Sequence, residues 1–383
     1  MGVASDARAA QGRAIRRSDK AANVALGLWR RVDVADLDGS WAAVGPQVEA
    51  AASAAIRANA VGAGRLTNTI AAADRMSGDV LVPDAFVGVD GSGRSLGSLL
   101  HGAVTTTKQG IAAGMSLPDA MMSGGAYLAV MLKSAVADLE RSASLAAATG
   151  KGYVRYVRLV NPGACSRCAI LAGADRFRSN FQRHPACKCS TVPIKGDAIP
   201  GGLFGTPRDY FDSLSPAEQE RVFTKSGAEA IRLGADPVKV ANARRGANRA
   251  RMDGAVSFSP ARIQRSVIGR KPDGTPITGY VTTEGNTRRG SYGRAQAGLG
   301  SAETRRPGAR YQSTARPRLM PESIIGLTDD PDMRRLLLRD AGYLEAPIRD
   351  LTDNRWLAER SALRRTDRVE ADAFYRSLGI SIG

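Results

Sequence analysis

Aromatic residues are scarce in this 383-residue chain, where Phe, Tyr and Trp together make up 5%. One large aromatic core is thereby excluded. The abundant Ala and Gly favour slim helices packed through small side chains. Histidine occurs only twice, as His101 and His184, so chemistry that needs an imidazole base has two residues to draw on. Long hydrophobic runs are also missing. The apolar stretches are Ala-rich and broken by Gly, Ser or charge, short of the roughly 20 residues that a bilayer span needs, and no membrane span is expected. Met1 to Lys20 carries charge with no apolar block behind it, unlike a secretory signal. The chain is therefore expected to fold in a reducing cytoplasm. No repeat at a fixed period is evident, which argues against a solenoid.

Negative charge is the other shortage. Lys and Arg number 54 against 37 Asp and Glu, a net charge of +17. Such a surplus speaks of partners rather than fold, and its usual partners are nucleic acid or an anionic membrane. It is unevenly spread: residues 241–320 hold 16 Lys and Arg against 4 Asp and Glu, a surplus of 12. Otherwise the composition is that of an ordinary globular protein, with 43% hydrophobic and 24% charged residues, and the length predicts two or three domains.

Four regions follow from pattern. Residues 1–150 read as helical, with helices over Ala7–Val32 and Trp41 to about Asn59. A Gly-rich turn spans Val87–Gly97, and Ser95 is placed to cap a short helix through Leu99 and Leu100. The clearest helix is Gly125–Thr149, where Leu128, Met131, Leu132, Ala135, Val136 and Leu139 line one buried face. Gly150 follows as a left-handed C-terminal cap. Residues 151–245 form an α+β region. Tyr153–Val160 is rich in β-branched and aromatic residues and reads as a strand, with Cys189–Ile194 returning beside it. Ser215-Pro-Ala-Glu218 is a capping box opening a helix that stops near Gly234, and Asp236-Pro237 starts another. Residues 246–318 look basic, extended and loop-like. Residues 319–383 are helical, with one helix from Asp330-Pro331 to Gly342 and an amphipathic stretch from Asn354 to about Leu378.

All four cysteines and one histidine fall in a single short stretch: Cys165-x-x-Cys168, fifteen residues, then His184-x-x-Cys187-x-Cys189. A Cys-x-x-Cys turn aims two thiolates at one ion, and a second half-site completes a tetrahedron, which is the arrangement zinc prefers. Here three candidates compete for two places. Cys187 and Cys189 point the same way if the backbone is extended, and Pro185 stiffens the chain beside His184. Sequence leaves open which of the pair is the odd one out. Zinc binding contributes on the order of 10–16 kcal/mol in small modules, enough to fold a segment with few large apolar residues. A closed four-ligand site has no open position for catalysis. The alternatives are disulfides, which a reducing cytoplasm disfavours, unrelated thiols, or a redox Cys-x-x-Cys, whose thioredoxin-like setting is not evident.

Leu159-Val-Asn-Pro-Gly-Ala-Cys-Ser-Arg-Cys-Ala-Ile-Leu-Ala-Gly173, followed by Phe181-Gln-Arg-His-Pro-Ala-Cys-Lys-Cys189, resembles the MuF-like head-morphogenesis proteins of tailed bacteriophages. Their hallmark is Cys-x-x-Cys, a Gly-containing spacer and His-Pro-x-Cys-x-Cys. Gly88–Leu100, Ala228–Ala235, Asn242–Gly246 and Arg318–Ile325 look like the versions found in phages of actinobacteria. The resemblance implies a minor capsid protein, assembled in the host cytoplasm and carried inside the virion head near the portal. Its partners would be the portal protein, capsid or scaffold proteins and phage DNA, bound without sequence preference, with no small-molecule substrate. The fold expected is α+β and mainly helical, with a small two- or three-stranded zinc knuckle between a helical N-terminal region and a basic, partly extended C-terminal one.

For DNA, Arg244, Arg245, Arg249, Arg251, Arg288, Arg289, Arg305 and Arg306 are the candidate phosphate contacts. Each neutralised phosphate adds about −0.9 to the salt slope. The alternative is a solvated loop, since no base-reading motif accompanies the charge. Some phage proteins of this type are labelled capsid maturation proteases, and Gly93-Arg-Ser-Leu-Gly97 matches the letters of a nucleophile elbow. That elbow needs a preceding strand, a following helix and a downstream triad histidine. The one histidine far downstream is His184, better explained by zinc, so no enzyme is expected. The glycines lack the strand-loop-Lys context of a phosphate loop.

Overall fold

The computed structural model describes residues 2–178, 181–244, 263–305, 308–344 and 355–380, without the side chains of 355–362. They fall into two compact units, one of residues 1–164 with 171–210, the other of 211–383 with the short segment 165–170. The molecule is mainly helical with small antiparallel sheets.

The first unit is built on four helices, α1 (Val3–Trp29), α2 (Leu37–Ala73), α3 (Leu96–Ala112) and α4 (Leu117–Thr149). Asp36, Ser95 and Ser116 cap α2, α3 and α4 by accepting from backbone N–H groups of the first turn. Small residues allow close approach, as the composition suggested. A Cβ on Gly124 of α4 would lie 2.7 Å from the Trp29 ring of α1 and 2.8 Å from the Ala103 carbonyl oxygen of α3. Trp29 meets Trp41 edge-on at 5.8 Å, and its Nε1 donates to the Met121 carbonyl at 2.9 Å. Leu128, Leu132 and Val136 bury the expected face of α4 against this cluster. By length and composition alone α4 is apolar enough to cross a bilayer, and it is also the helix that packs on α1, α2 and α3.

Three strands complete this unit in the order β2–β1–β3: β1 (Arg155–Leu159), β2 (Ala174–Arg176) and β3 (Ser190–Ile194), all antiparallel. Val157 faces Val192 across the β1–β3 pair. Val157, Leu159, Val192 and Ile194 pack with Ala7, Ile70, Ala71 and Ala148 of the helices.

The second unit contains the short α5 (Ser166–Ala169), and the chain enters the rest of it through α6 (Pro207–Asp212). Then come α7 (Pro216–Phe223), α8 (Lys225–Arg232) and α9 (Pro237–Ala243). A hairpin of β4 (Ile263–Arg270) and β5 (Pro276–Thr282) follows, then α10 (Ser291–Gly298) and a second hairpin, β6 (Glu303–Thr304) with β7 (Ser313–Thr314). β8 (Arg318–Leu319) adds to β5, and α11 (Pro321–Ile325), α12 (Pro331–Asp340) and α13 (Arg355–Ser377) end the unit. Arg316 lies in its interior, 1% exposed, bonded to Asp340 at 2.9 Å and Asp372 at 2.7 Å. Arg318 stacks 4.3 Å from the Tyr343 ring centroid and donates to the carbonyls of Ala341 and Glu284.

Several expectations need correcting. The second helix runs to Ala73 rather than Asn59, because Ala60, Ala63, Ile70 and Ala71 keep burying one face. The helix capped by Ser95 is longer than expected, reaching Ala112, and α4 begins at Leu117, where Ser116 caps it. Gly150 stays right-handed at φ −60°, and the left-handed glycine is Gly152 at φ +81°. The helix opened by the capping box ends at Phe223, where Thr224 adopts φ +72° and caps α8 through its hydroxyl. The loop-like reading of 246–318 fails over 263–305 and 308–318, which hold two hairpins and a helix. Adjacent apolar pairs, Val267–Ile268 and Tyr280–Val281, interrupt the alternation that marks a half-buried strand, and the sheet is completed by β8 pairing onto β5. The expected β1–β3 pairing, the capping box at Ser215, the helix starting at Asp236-Pro237 and the one ending at Gly342 are all present.

Candidate metal centre

Within residues 165–189 two overlapping groups of ligand atoms assemble: Cys165, Cys168 and His184, and Cys168, Cys187 and Cys189. In each group the atoms lie within 4.8 Å of one another, and Cys168 belongs to both. All five residues singled out in the sequence are thus brought together as a Cys/His cluster that could hold a metal ion. Cys165 is exposed, Cys168, Cys187 and Cys189 are buried, and His184 is half-buried.

Local geometry explains the convergence. Cys165 precedes α5, whose first turn folds back so that the Cys168 and Ala169 N–H groups donate to the Cys165 carbonyl, both at 3.0 Å. On the other side, the Cys187 N–H donates to the His184 carbonyl at 3.2 Å and Ala186 takes φ +55°. The Pro185 carbonyl accepts from His184 Nδ1 at 2.8 Å. A carbonyl can only accept, so Nδ1 is the donor here, and in the neutral ring Nε2 is the nitrogen that a metal could take.

The loop 186–190 is held from beneath by side chains that sequence reasoning missed. Arg141 of α4, 6% exposed, donates through Nη1 to the carbonyls of Cys187 at 3.3 Å and Cys189 at 2.7 Å. Its Nη2 binds Asp138 at 2.5 Å, and Asp138 also pairs with Arg183. Gln11 of α1 donates to the carbonyls of Lys188 at 3.1 Å and Leu159 at 2.9 Å. Ser134 Oγ accepts from the Ala186 N–H at 2.8 Å. The exposed Lys188 turns outward to Asp19 at 3.1 Å. Phe181 lies under the Arg158 guanidinium, 3.7 Å from its carbon, and 4.9 Å from that of Arg141. A cavity of about 30 Å³ remains between α1, α4 and this loop, room for a water or two. Glu140 lines it, and burial pushes its carboxyl up to about 7, with Arg141 acting in the opposite sense. No spacing rule links residues 11, 134 and 141 to the cysteines. The one available signal was Gln11 and Arg141, large polar groups on helix faces lined mostly by small and apolar residues.

The remaining candidates lie outside the cluster. Arg244 pairs with Glu322 and Arg288 with Glu303. Arg289 and Arg305 are exposed. Arg245, Arg249, Arg251 and Arg306 lie outside the described residues. Ser95 is exposed, and its Oγ accepts from the Ser98 N–H at 3.3 Å as the cap of α3. The turn before it is organised by Asp90, 5% exposed, which accepts from Ser92 N and Oγ and from Arg94 N, Nε and Nη2. Burial alone would raise the Asp90 carboxyl; these hydrogen bonds outweigh it and lower the group to about 2. His101 is half-exposed, its Nε2 3.9 Å from Asp38 Oδ1 and its ring 6.4 Å from that of Trp41.

No protein-family model, no curated protein and no solved structure matches this chain. Fold and site together define a class: a mainly helical protein with small antiparallel sheets and a Cys/His cluster that could hold a metal ion.

Proposed function

We propose that the chain is a structural, non-catalytic protein of a tailed-phage head, braced by one zinc ion drawn to four of Cys165, Cys168, His184, Cys187 and Cys189. In this reading it is a minor component near the portal vertex, in contact with portal and capsid proteins, and it meets DNA without sequence preference. The observation that carries the zinc assignment is the approach of four sulfurs and one imidazole in a single short stretch of chain. Soft thiolates and an imidazole suit zinc, and carboxylate-seeking ions such as magnesium and calcium would find no oxygen ligand in either group. Four such donors fill a tetrahedron, so the ion fastens the chain and does no chemistry. The head-protein assignment is supported by the resemblance of 159–189 to the MuF-like motif and by the +17 charge.

Metal analysis of protein purified under reducing conditions tests the first half. One zinc per chain is expected, lost in Cys168→Ser because that thiolate serves both groups. Cys187→Ser and Cys189→Ser, compared, identify the spare ligand as the one whose loss leaves the stoichiometry at one. Metal-free reduced protein with an intact fold would sink the zinc bracket. Mass spectrometry of purified virions tests the second half: peptides of this chain are expected at a few copies per portal, and their absence overturns the head assignment.

A further inference from the structure

The arginines of the second unit do not all stand free. Arg244, Arg288, Arg316 and Arg318 are spent within the fold, on Glu322, on Glu303, on Asp340 and Asp372, and on backbone carbonyls. Arg289, Arg305 and Arg310 are exposed and have no carboxylate partner among the described residues. These three converge on one hairpin. β6 and β7 pair Glu303 with Thr314 and Thr304 with Ser313. Thr287 bridges to Ser313, and the Arg288 N–H donates to the Gln312 carbonyl at 3.2 Å, laying 287–289 alongside β7. The half-buried Tyr311 ring then sits 5.2 Å from the Arg289 guanidinium carbon and 5.5 Å from that of Arg310. Arg289 Nη1 donates to the Tyr311 hydroxyl at 3.0 Å, and Arg305 Nε donates to the Ala309 carbonyl at 2.9 Å.

We propose that this hairpin, with Arg289 and Arg310 set against Tyr311 and Arg305 anchored on the Ala309 carbonyl, is the surface through which the protein grips the phosphate backbone of nucleic acid. The inference rests on the reading above that DNA is a partner, and locates the contact. Each guanidinium is a planar fork suited to a phosphate. Anchoring by the ring and by backbone carbonyls lowers the side-chain entropy lost on binding. The Tyr311 ring is already engaged by guanidinium groups and no base-reading side chain accompanies it, so the contact is sequence-independent. A membrane surface fits less well. Between residues 283 and 319 no large apolar side chain is exposed among the described residues, and arginines without an inserting apolar neighbour bind bilayers poorly.

Anisotropy titrations of a mixed-sequence DNA duplex against salt test this, using the full chain, the variant Arg289→Gln/Arg305→Gln/Arg310→Gln, and the control Arg13→Gln/Arg30→Gln/Arg31→Gln, which removes equal charge from exposed positions of the first unit. Three lost phosphate contacts should make the log–log salt slope shallower by about 2.7, so that between about 50 and 200 mM salt the wild type loses roughly 40-fold more affinity than the hairpin variant. The control should keep the wild-type slope. If wild type binds duplex and the hairpin variant keeps the full slope, or both variants lose it equally, the hairpin assignment is overturned while the DNA reading stands. If wild type binds no duplex at the lower salt but binds phosphatidylserine vesicles, the DNA reading itself is overturned.

Discussion

Arg141 holds the two carbonyls that flank Lys188, so it sets the distance between the Cys187 and Cys189 backbones without being a ligand. Arg141→Met keeps much of the side chain's volume and removes both bonds. Metal affinity, read by competition with a chelating dye, is expected to fall by on the order of 10–100-fold, the usual cost of losing a group that orients ligands. Unchanged affinity would mean the loop keeps its shape unaided. Asp90 makes a second prediction at this scale. Its folded-state pKa is lowered, so its contribution is present above the unfolded value near 3.8 and is lost as pH falls toward 2. Asp90→Asn should cost about 2.5 kcal/mol at neutral pH, the drop from 3.8 to about 2 at about 1.4 kcal/mol for each pH unit. The difference from wild type should shrink as acid is added between about pH 4 and 2; denaturant midpoints across that window would measure it. The five cluster residues were legible in the sequence because metal ligands advertise themselves by spacing. Arg141, Gln11 and Ser134 were not, since each touches the loop only after the helices have packed.

For helices, sequence reading caught the apolar face of α4 and the capping box at Ser215 but missed where these helices begin or end, at Leu117 and at Phe223. It failed where an element is closed by something distant. In the β4–β5 hairpin the neighbouring pairs Val267–Ile268 and Tyr280–Val281 break the strict alternation, and β8 and Ser323 complete its edge from some forty residues away. Helix packing can be probed with two glycines. A side chain at Gly124 would collide with Thr107, Trp29 and the Ala103 backbone, whereas Gly27 has nothing within 4 Å. Gly124→Ala is expected to destabilise by about 1–3 kcal/mol through overpacking, and Gly27→Ala to stabilise by up to about 1 kcal/mol through helix propensity. Chemical denaturation distinguishes them, and equal effects would contradict the close approach of α4 to α1. The interior ion pairs of Arg316 give a third test among elements. Arg316→Gln leaves the buried Asp340 without its ion-pair partner and leaves the half-buried Asp372 to Arg368, and a loss of about 3–5 kcal/mol is expected, visible as a lowered urea midpoint.

At the scale of the whole molecule, the proposed zinc fastens one 25-residue stretch of a chain that is otherwise held by helix packing. Chelation should therefore melt locally. Hydrogen exchange on metal-stripped protein is expected to lose protection in 155–194 while the buried faces of α1 to α4 stay protected. Uniform loss along the chain would show instead that the ion supports the entire fold. Acidification to about pH 5 should act in the same direction, since protons compete for the thiolate and imidazole donors.

Arg316 and Arg318, sealed inside the second unit, also change what an electrolyte sees. A tally of residues counts their charge in full, yet a polyanion outside the folded protein can reach neither group. The native protein should thus leave a heparin column at lower salt than its own urea-unfolded chain, and Arg316→Gln should change that native elution hardly at all.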